Sequence, residues 1–201
     1  MSRSDASPRS AKSSTALLVV LAIGGVSAIC CIGTLAAVAV RNFLNFNLKA
    51  RQAEVRGNLK AVFNAQRAHF LEHDTYTQSF EELGFMPARG NRYRYVLSAS
   101  GELLIPGALD GGQHSNVGAD QRNSPAPDNA ALFRGIPSAL LSELGMKGEC
   151  PASCRITAVA VANLDTDGTV DVWSVSTEAR IIDGEPVAAG VPHKHIDDVA
   201  E

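Results

Sequence analysis

The sequence predicts an α+β fold in which one long N-terminal helix lies along a small antiparallel sheet. Three observations predict it. Residues 16–40 carry no charge. Apolar residues then recur at three-four spacing as far as Phe70, and no proline interrupts residues 15–71, as an unbroken helix requires. Further on, short segments rich in Ile, Val and Tyr are set between clusters of Gly, Asn and Asp, the pattern of strands and turns. The 201 residues are 45% hydrophobic and 19% charged, enough for one modest domain with extensions. That balance excludes a wholly disordered chain and a multi-pass membrane protein. A net charge of -3 and 5% aromatic content argue against a nucleic-acid partner, which wants a basic face.

Residues 1–14 read as a basic cytoplasmic leader, with Arg3, Arg9 and Lys12 against Asp5. Residues 15–40 read as a transmembrane helix. The uncharged run would rise roughly 37 Å as a helix, against a hydrocarbon core of about 30 Å, and a helix bonds every backbone amide internally. Gly24, Gly25 and Gly33 thin one side of it and would let another helix approach closely. Cys30 and Cys31 sit in the run as small apolar residues. A cleaved secretory signal is the rival reading, with Ala37-Val38-Ala39 as its cut. The run exceeds the usual signal length by roughly ten residues, so a retained anchor is preferred. Basic residues flank both ends and leave the orientation open. The spacing of Cys150-Pro-Ala-Ser-Cys154 suits a small disulfide loop, and a disulfide places the head on an oxidising side.

Residues 41–72 read as an amphipathic continuation of the helix. Leu44, Leu48, Val55, Leu59 and Phe63 mark its apolar face, and Gly57 is its weak point at about 1 kcal/mol relative to Ala. Residues 73–190 read as a globular head. A short helical signal covers residues 79–83. Tyr93, Tyr95 and Leu97 alternate as on a half-buried strand, and residues 98–101 turn it into a partner over 102–105, giving a hairpin. Residues 106–129 read as a long loop and 138–144 as a short helix. Residues 155–161 and 169–176 read as strands, with Trp173 a core anchor. Residues 191–201 read as a flexible tail.

Two patterns carry candidate chemistry. Asn163, Asp165 and Asp167, followed by Gly168 and Asp171, place oxygen ligands as the opening of a calcium loop does. The twelfth position is Ser174 rather than Glu, and Asp-Gly between two strands also makes a hairpin turn. Calcium is the one cofactor the sequence suggests. His69, Glu72 and His73 match a zinc-peptidase pattern, but no third ligand is visible. His193 and His195 fall in the expected tail. No phosphate loop, nucleophile elbow or haem motif appears, so no enzymatic activity is expected.

The stretch AAVAVRNFLNFNLKARQAEVRGNLKAVFNAQRAHFLEHDTYTQSFEELGF resembles the N-terminal helix and following loop of type IV pilins, particularly those of deltaproteobacteria. So do Gly90-Asn91-Arg92-Tyr93-Arg94-Tyr95, and Ala162-Asn163-Leu164-Asp165 with Asp167 leading to Asp171-Val172-Trp173. The resemblance spans about residues 33–176. It implies a single-pass protein of the bacterial inner membrane with a periplasmic α+β head. Its partners would be lipid and similar subunits, or a pilus or secretion machine, met through the helix face named above and the small residues Gly25 and Gly33. Such pilins are cut before a Phe and carry Glu at the fifth mature position. Aligned on Asn42-Phe43, those places hold Val20 and Gly24, the Gly before the cut is Val19, and the family Pro is Arg41. That Glu neutralises a neighbour's new amine in the fibre core, where a charge must be paired. Cut, amine and Glu are missing as a set, which implies a pilin-like protein that keeps its leader. The alternative is an anchored binding module that never assembles.

Overall fold

A computed structural model of the chain describes residues 11–106, 113–165 and 167–199. The chain divides into two compact units, Met1–Phe46 and Asn47–Glu201, with the boundary inside the first helix.

Helix α1 runs Ala11–His73, as the absence of proline over residues 15–71 allows. It ends where Asp74 takes a left-handed backbone (φ 55°) and its amide bonds back to the Phe70 carbonyl, the usual way to close a last turn. In the first unit, the described side chains of Val38, Val40, Phe43, Leu44 and Phe46 are more than half exposed. Among the described residues no helix is long and apolar enough to cross a membrane. The span expected over residues 15–40 falls mostly on side chains outside the described ones, as do Cys30, Cys31 and Gly33. The leader also lies outside the described residues, up to residue 10.

The second unit layers the remainder of α1, a mixed sheet and two short helices. The strands are β1 (Arg94–Val96), β2 (Leu103–Leu104), β3 (Asn116–Val117), β4 (Gly145–Lys147), β5 (Arg155–Ala162), β6 (Asp171–Ser176), β7 (Arg180–Ile182), β8 (Glu185–Val187) and β9 (His193–Ile196). Helices α2 (Asn129–Arg134) and α3 (Ser138–Glu143) precede β4. The main sheet runs β2-β3-β1-β5-β6-β9, with β4 beside β5; β7 and β8 form a separate hairpin. All pairs are antiparallel except β2 with β3. The expected α+β architecture is therefore present.

Alternation along β5 builds both cores. Ile156, Ala158, Ala160 and Ala162 face the core that contains Val55, Leu59 and Val62 of α1. Val159 and Val161 face the other side, with Leu132 of α2, Leu140 of α3 and Ile136 from the link between them. The period of two along a strand imposes this split. The alanine row leaves room for α1 to lie close to the sheet.

Two expectations are corrected. Residues 98–105 do not complete a hairpin with β1. Strand β3, from the segment read as a long loop, lies between β1 and β2. It bonds outward on both edges: Leu97 N–H to the Ser115 carbonyl at 2.8 Å, and Gly118 N–H to the Leu104 carbonyl at 2.8 Å. The turn passes so close that a Cβ on Gly101 would meet Ser115 Cβ at 2.3 Å. Residues 191–201 are likewise not a free tail along their described length. Strand β9 pairs with β6, Val172 against Ile196 and Ser174 against His193, because β6 otherwise has an open edge of backbone donors and acceptors.

Candidate functional site

The expected helix-packing residues divide between the two units. Val55 and Leu59 are fully buried in the chain's own core, with Leu48 and Phe63 partly buried against it. Val55 and Leu59 are thereby spent on the head's own core, which corrects their expected part in packing on a neighbour, while Leu48 and Phe63 keep part of their surface open. Leu44 is 56% exposed, beside Phe43 at 65% and Phe46 at 70%. Gly25 is exposed too, and a Cβ there would meet nothing within 4 Å. Gly33 lies outside the residues with described surroundings.

Asp171 is fully buried and lies at the meeting of helix and sheet. Its carboxylate accepts from Tyr93 Oη at 2.5 Å, Trp173 Nε1 at 2.5 Å and Gln52 Nε2 at 2.9 Å. Burial, then the neighbouring Asp171 charge, pushes the Tyr93 hydroxyl far above its ordinary range, so it stays a donor. Gln52 also donates to Asp197 Oδ1 at 2.7 Å, tying α1 to the segment after β9. Sequence spacing placed Asp171 in a calcium loop. Strand geometry instead sets it on the face of β6 shared with Trp173, looking towards α1.

The other expected calcium ligands lie in the loop between β5 and β6, so the Asp-Gly turn is a hairpin turn. Carboxylate oxygens of Asp165, Asp167 and Asp198 come within 4.8 Å of one another. Asp198, missed in the sequence because it lies 33 positions beyond Asp165, is brought in by the chain after β9. It accepts from Leu164 N–H at 2.6 Å and Thr169 Oγ1 at 2.5 Å. Burial raises its pKa, with Asp165 and Asp167 adding to the rise. Thr169 N–H, the leading cause, holds Asp167 below the ordinary carboxylate range. Asn163 turns its amide nitrogen to the Asp167 carbonyl at 2.7 Å. One oxygen from each of these three carboxylates is brought together, fewer than the six to eight ligand oxygens calcium takes. Melting of chelator-stripped protein with and without calcium decides the point; an unchanged transition removes calcium.

Cys150 and Cys154 form a disulfide, as their spacing suggested. The loop folds back on Gly148, where φ is 79° and a Cβ would meet the Ser153 carbonyl at 2.2 Å. His69 and His73 stack at 4.4 Å between ring centroids, but His69 Nδ1 is engaged by the Thr75 carbonyl at 2.9 Å. Among the described residues, neither joins a group of three metal-ligating side chains.

His195 is not a tail residue. Its Nε2 lies 2.8 Å from Ser174 Oγ, which already accepts from Arg180 Nη2 at 2.9 Å. The serine proton is thus free to be donated to a neutral ring. Burial, then His193 and Arg180, lowers the His195 pKa to about 4, while Asp183 and Glu143 oppose the shift. A histidine depressed in the folded state stabilises fully above its unfolded pKa of about 6.5, and that stability is lost as pH falls towards 4. Urea unfolding is expected to show the head about 1 kcal/mol weaker at pH 5 than at pH 7, after allowance for partial exposure. His195→Asn should flatten that difference; an unchanged slope would remove His195 as its source.

A sequence model of the type IV pilin PilA family matches residues 46–104. The chain is 31% identical over 206 residues to the type IV major pilin protein PilA of Myxococcus xanthus (strain DK1622), an alignment covering 92% of this chain and 90% of that protein.

Proposed function

Because the chain belongs to the type IV pilin family, a family of structural subunits, we propose that it is a pilus-type subunit anchored and assembled through its N-terminal helix. Residues 15–40 serve as the membrane anchor and the head lies in an oxidising compartment, where the Cys150–Cys154 disulfide is stable. The residues at the family's cleavage point, Val19, Val20 and Gly24, support a subunit that keeps its leader and stays in the membrane.

One observation carries this reading. Val38, Val40, Phe43, Leu44 and Phe46 stand exposed along α1, and a run of exposed large apolar side chains calls for lipid or a protein neighbour. Arg41, Asn42, Asn45 and Asn47 lie among them, a mixture that suits a protein neighbour at the edge of the bilayer. With Cys30 and Cys31 changed to Ser, Phe43→Cys in the full chain is expected to form disulfide-linked dimers in membranes under mild oxidation. Phe46→Asp should lower their yield about tenfold or more, since burying a Phe contributes about 1.5–3 kcal/mol. Head melting should not change. Monomer alone would overturn lateral packing and leave the non-assembling anchored module.

A further inference from the structure

Two histidines and a glutamate converge where α1 ends, all within the second unit. His69 and His73 stand four apart on the last turns of the helix and so share one face of it. Their ring centroids lie 4.4 Å apart. The sequence shows no third ligand for such a pair, but the fold supplies one. Glu82, nine positions beyond His73, lies in the segment that follows the helix and places Oε2 3.8 Å from His69 Nε2.

Hydrogen bonding leaves His69 Nε2 as a ligand atom. Nδ1 meets the Thr75 carbonyl at 2.9 Å, and a carbonyl only accepts, so Nδ1 carries the proton. In the neutral ring Nε2 then keeps its lone pair. The Glu82 carboxylate is oriented in turn: Thr77 Oγ1 donates to Oε2 at 2.5 Å, and Gln113 Nε2 donates to Oε1 at 2.8 Å. At 3.8 Å the imidazole and the carboxylate are too far apart to hydrogen-bond to each other. That spacing is close to the roughly 3.4 Å between two ligands on one tetrahedral zinc, given bonds of about 2.0–2.2 Å. An imidazole fixed by a backbone carbonyl and a carboxylate fixed by donors are the outer supports that metal ligands use.

We propose that His69 Nε2, His73 and Glu82 bind one divalent transition ion, Zn2+, which clamps the end of α1 to the segment after it. As placed, the three ligand atoms do not share one sphere, so one side chain must turn. The His69 side chain is 15% exposed and already aimed at Glu82, whereas that of His73 is 57% exposed and free to rotate. Imidazole with carboxylate suits zinc, while calcium wants an all-oxygen shell. Two histidines and one glutamate leave the fourth position to water. Glu72 also shares the helix face, but its side chain is 74% exposed, and no hydrogen bond among the described residues orients it. Lateral packing through residues 38–46 neither requires this site nor excludes it.

The test uses the full chain in detergent, with Cys30 and Cys31 changed to Ser, stripped with EDTA and free of a histidine tag. Titration with zinc chloride is expected to load one ion per chain. Saturation should raise the melting temperature by about 5 °C or more, as a ligand held only by the folded state does. His73→Asn and Glu82→Gln should each weaken binding about tenfold or more, while Glu72→Gln leaves it unchanged. Because His73 is exposed, metal-free melting of His73→Asn should match that of the parent, which separates a lost ligand from a damaged fold. No uptake from excess zinc overturns the site. So does stoichiometric binding that survives His73→Asn, which would place the ion elsewhere, at His193 and His195 or at the Asp165 cluster. Loss with Glu72→Gln but not with Glu82→Gln overturns Glu82 as the third ligand.

Discussion

Asp171→Ala is expected to destabilise the head by about 3–5 kcal/mol, the range for removing the acceptor from a buried charged network. Its carboxylate is fully buried and meets donors from three elements: Gln52 on α1, Tyr93 just before β1 and Trp173 on β6. Alanine leaves a phenol and an indole N–H without the acceptor they share, while the Gln52 amide keeps only Asp197 Oδ1. Burial keeps the Tyr93 hydroxyl protonated, so it cannot adapt by losing its proton. Asp171→Asn should fall between, since one amide oxygen can still accept while its NH2 opposes a donor. Urea unfolding followed by Trp173 fluorescence measures this directly. A midpoint equivalent to a change below about 0.5 kcal/mol, the size of an ordinary surface substitution, would show that the three donors find other partners.

Leu59→Ala carries the second largest expected effect, about 2–5 kcal/mol. Leu59 is fully buried between Val55 and Val62 against the alanine row of β5, so truncation opens a cavity that the sheet cannot collapse to fill. Leu44→Ala, one of the same set of apolar positions by spacing, should leave head stability within about 0.5 kcal/mol. Melting of both variants beside the parent chain separates the two roles. Equal losses would mean that the head's core extends beyond its own unit; equal indifference would mean that α1 does not belong to the core.

The contrast shows what was legible in the sequence. The helix was, because proline is absent and apolar spacing persists. Strands β5 and β6 were, because β-branched residues alternate between turn residues. Strand β3 was not: two residues, Asn116 and Val117, inside a Gly- and Asn-rich segment carry no periodic signal, and tertiary pairing alone makes them a strand. Strand β9 was hidden for a different reason. His193, Lys194 and His195 have no apolar alternation, since an edge strand half open to water needs none.

The candidate site was legible only in part. Linear spacing grouped Asp171 with Asp165 and Asp167. Alternation along β6 held the better signal, since Asp171, Trp173 and Val175 share a face and the latter two are plainly core residues. Asp198 could not be found by spacing, because it reaches the cluster only after β7, β8 and β9 return the chain to β6. The buried half of the helix face was visible as apolar, but periodicity does not say whether a face meets its own head or a neighbour.

Strand β9 has a consequence for crowding. An open sheet edge normally invites a strand from another molecule, and heads held densely on one surface would run that risk continuously. Here the outermost strand bears Lys194 between two imidazoles, with Trp173 beneath the lysine at 5.7 Å. Cross-β stacking of such an edge would bring lysine against lysine, so closely ranked copies are protected from aggregating sheet to sheet.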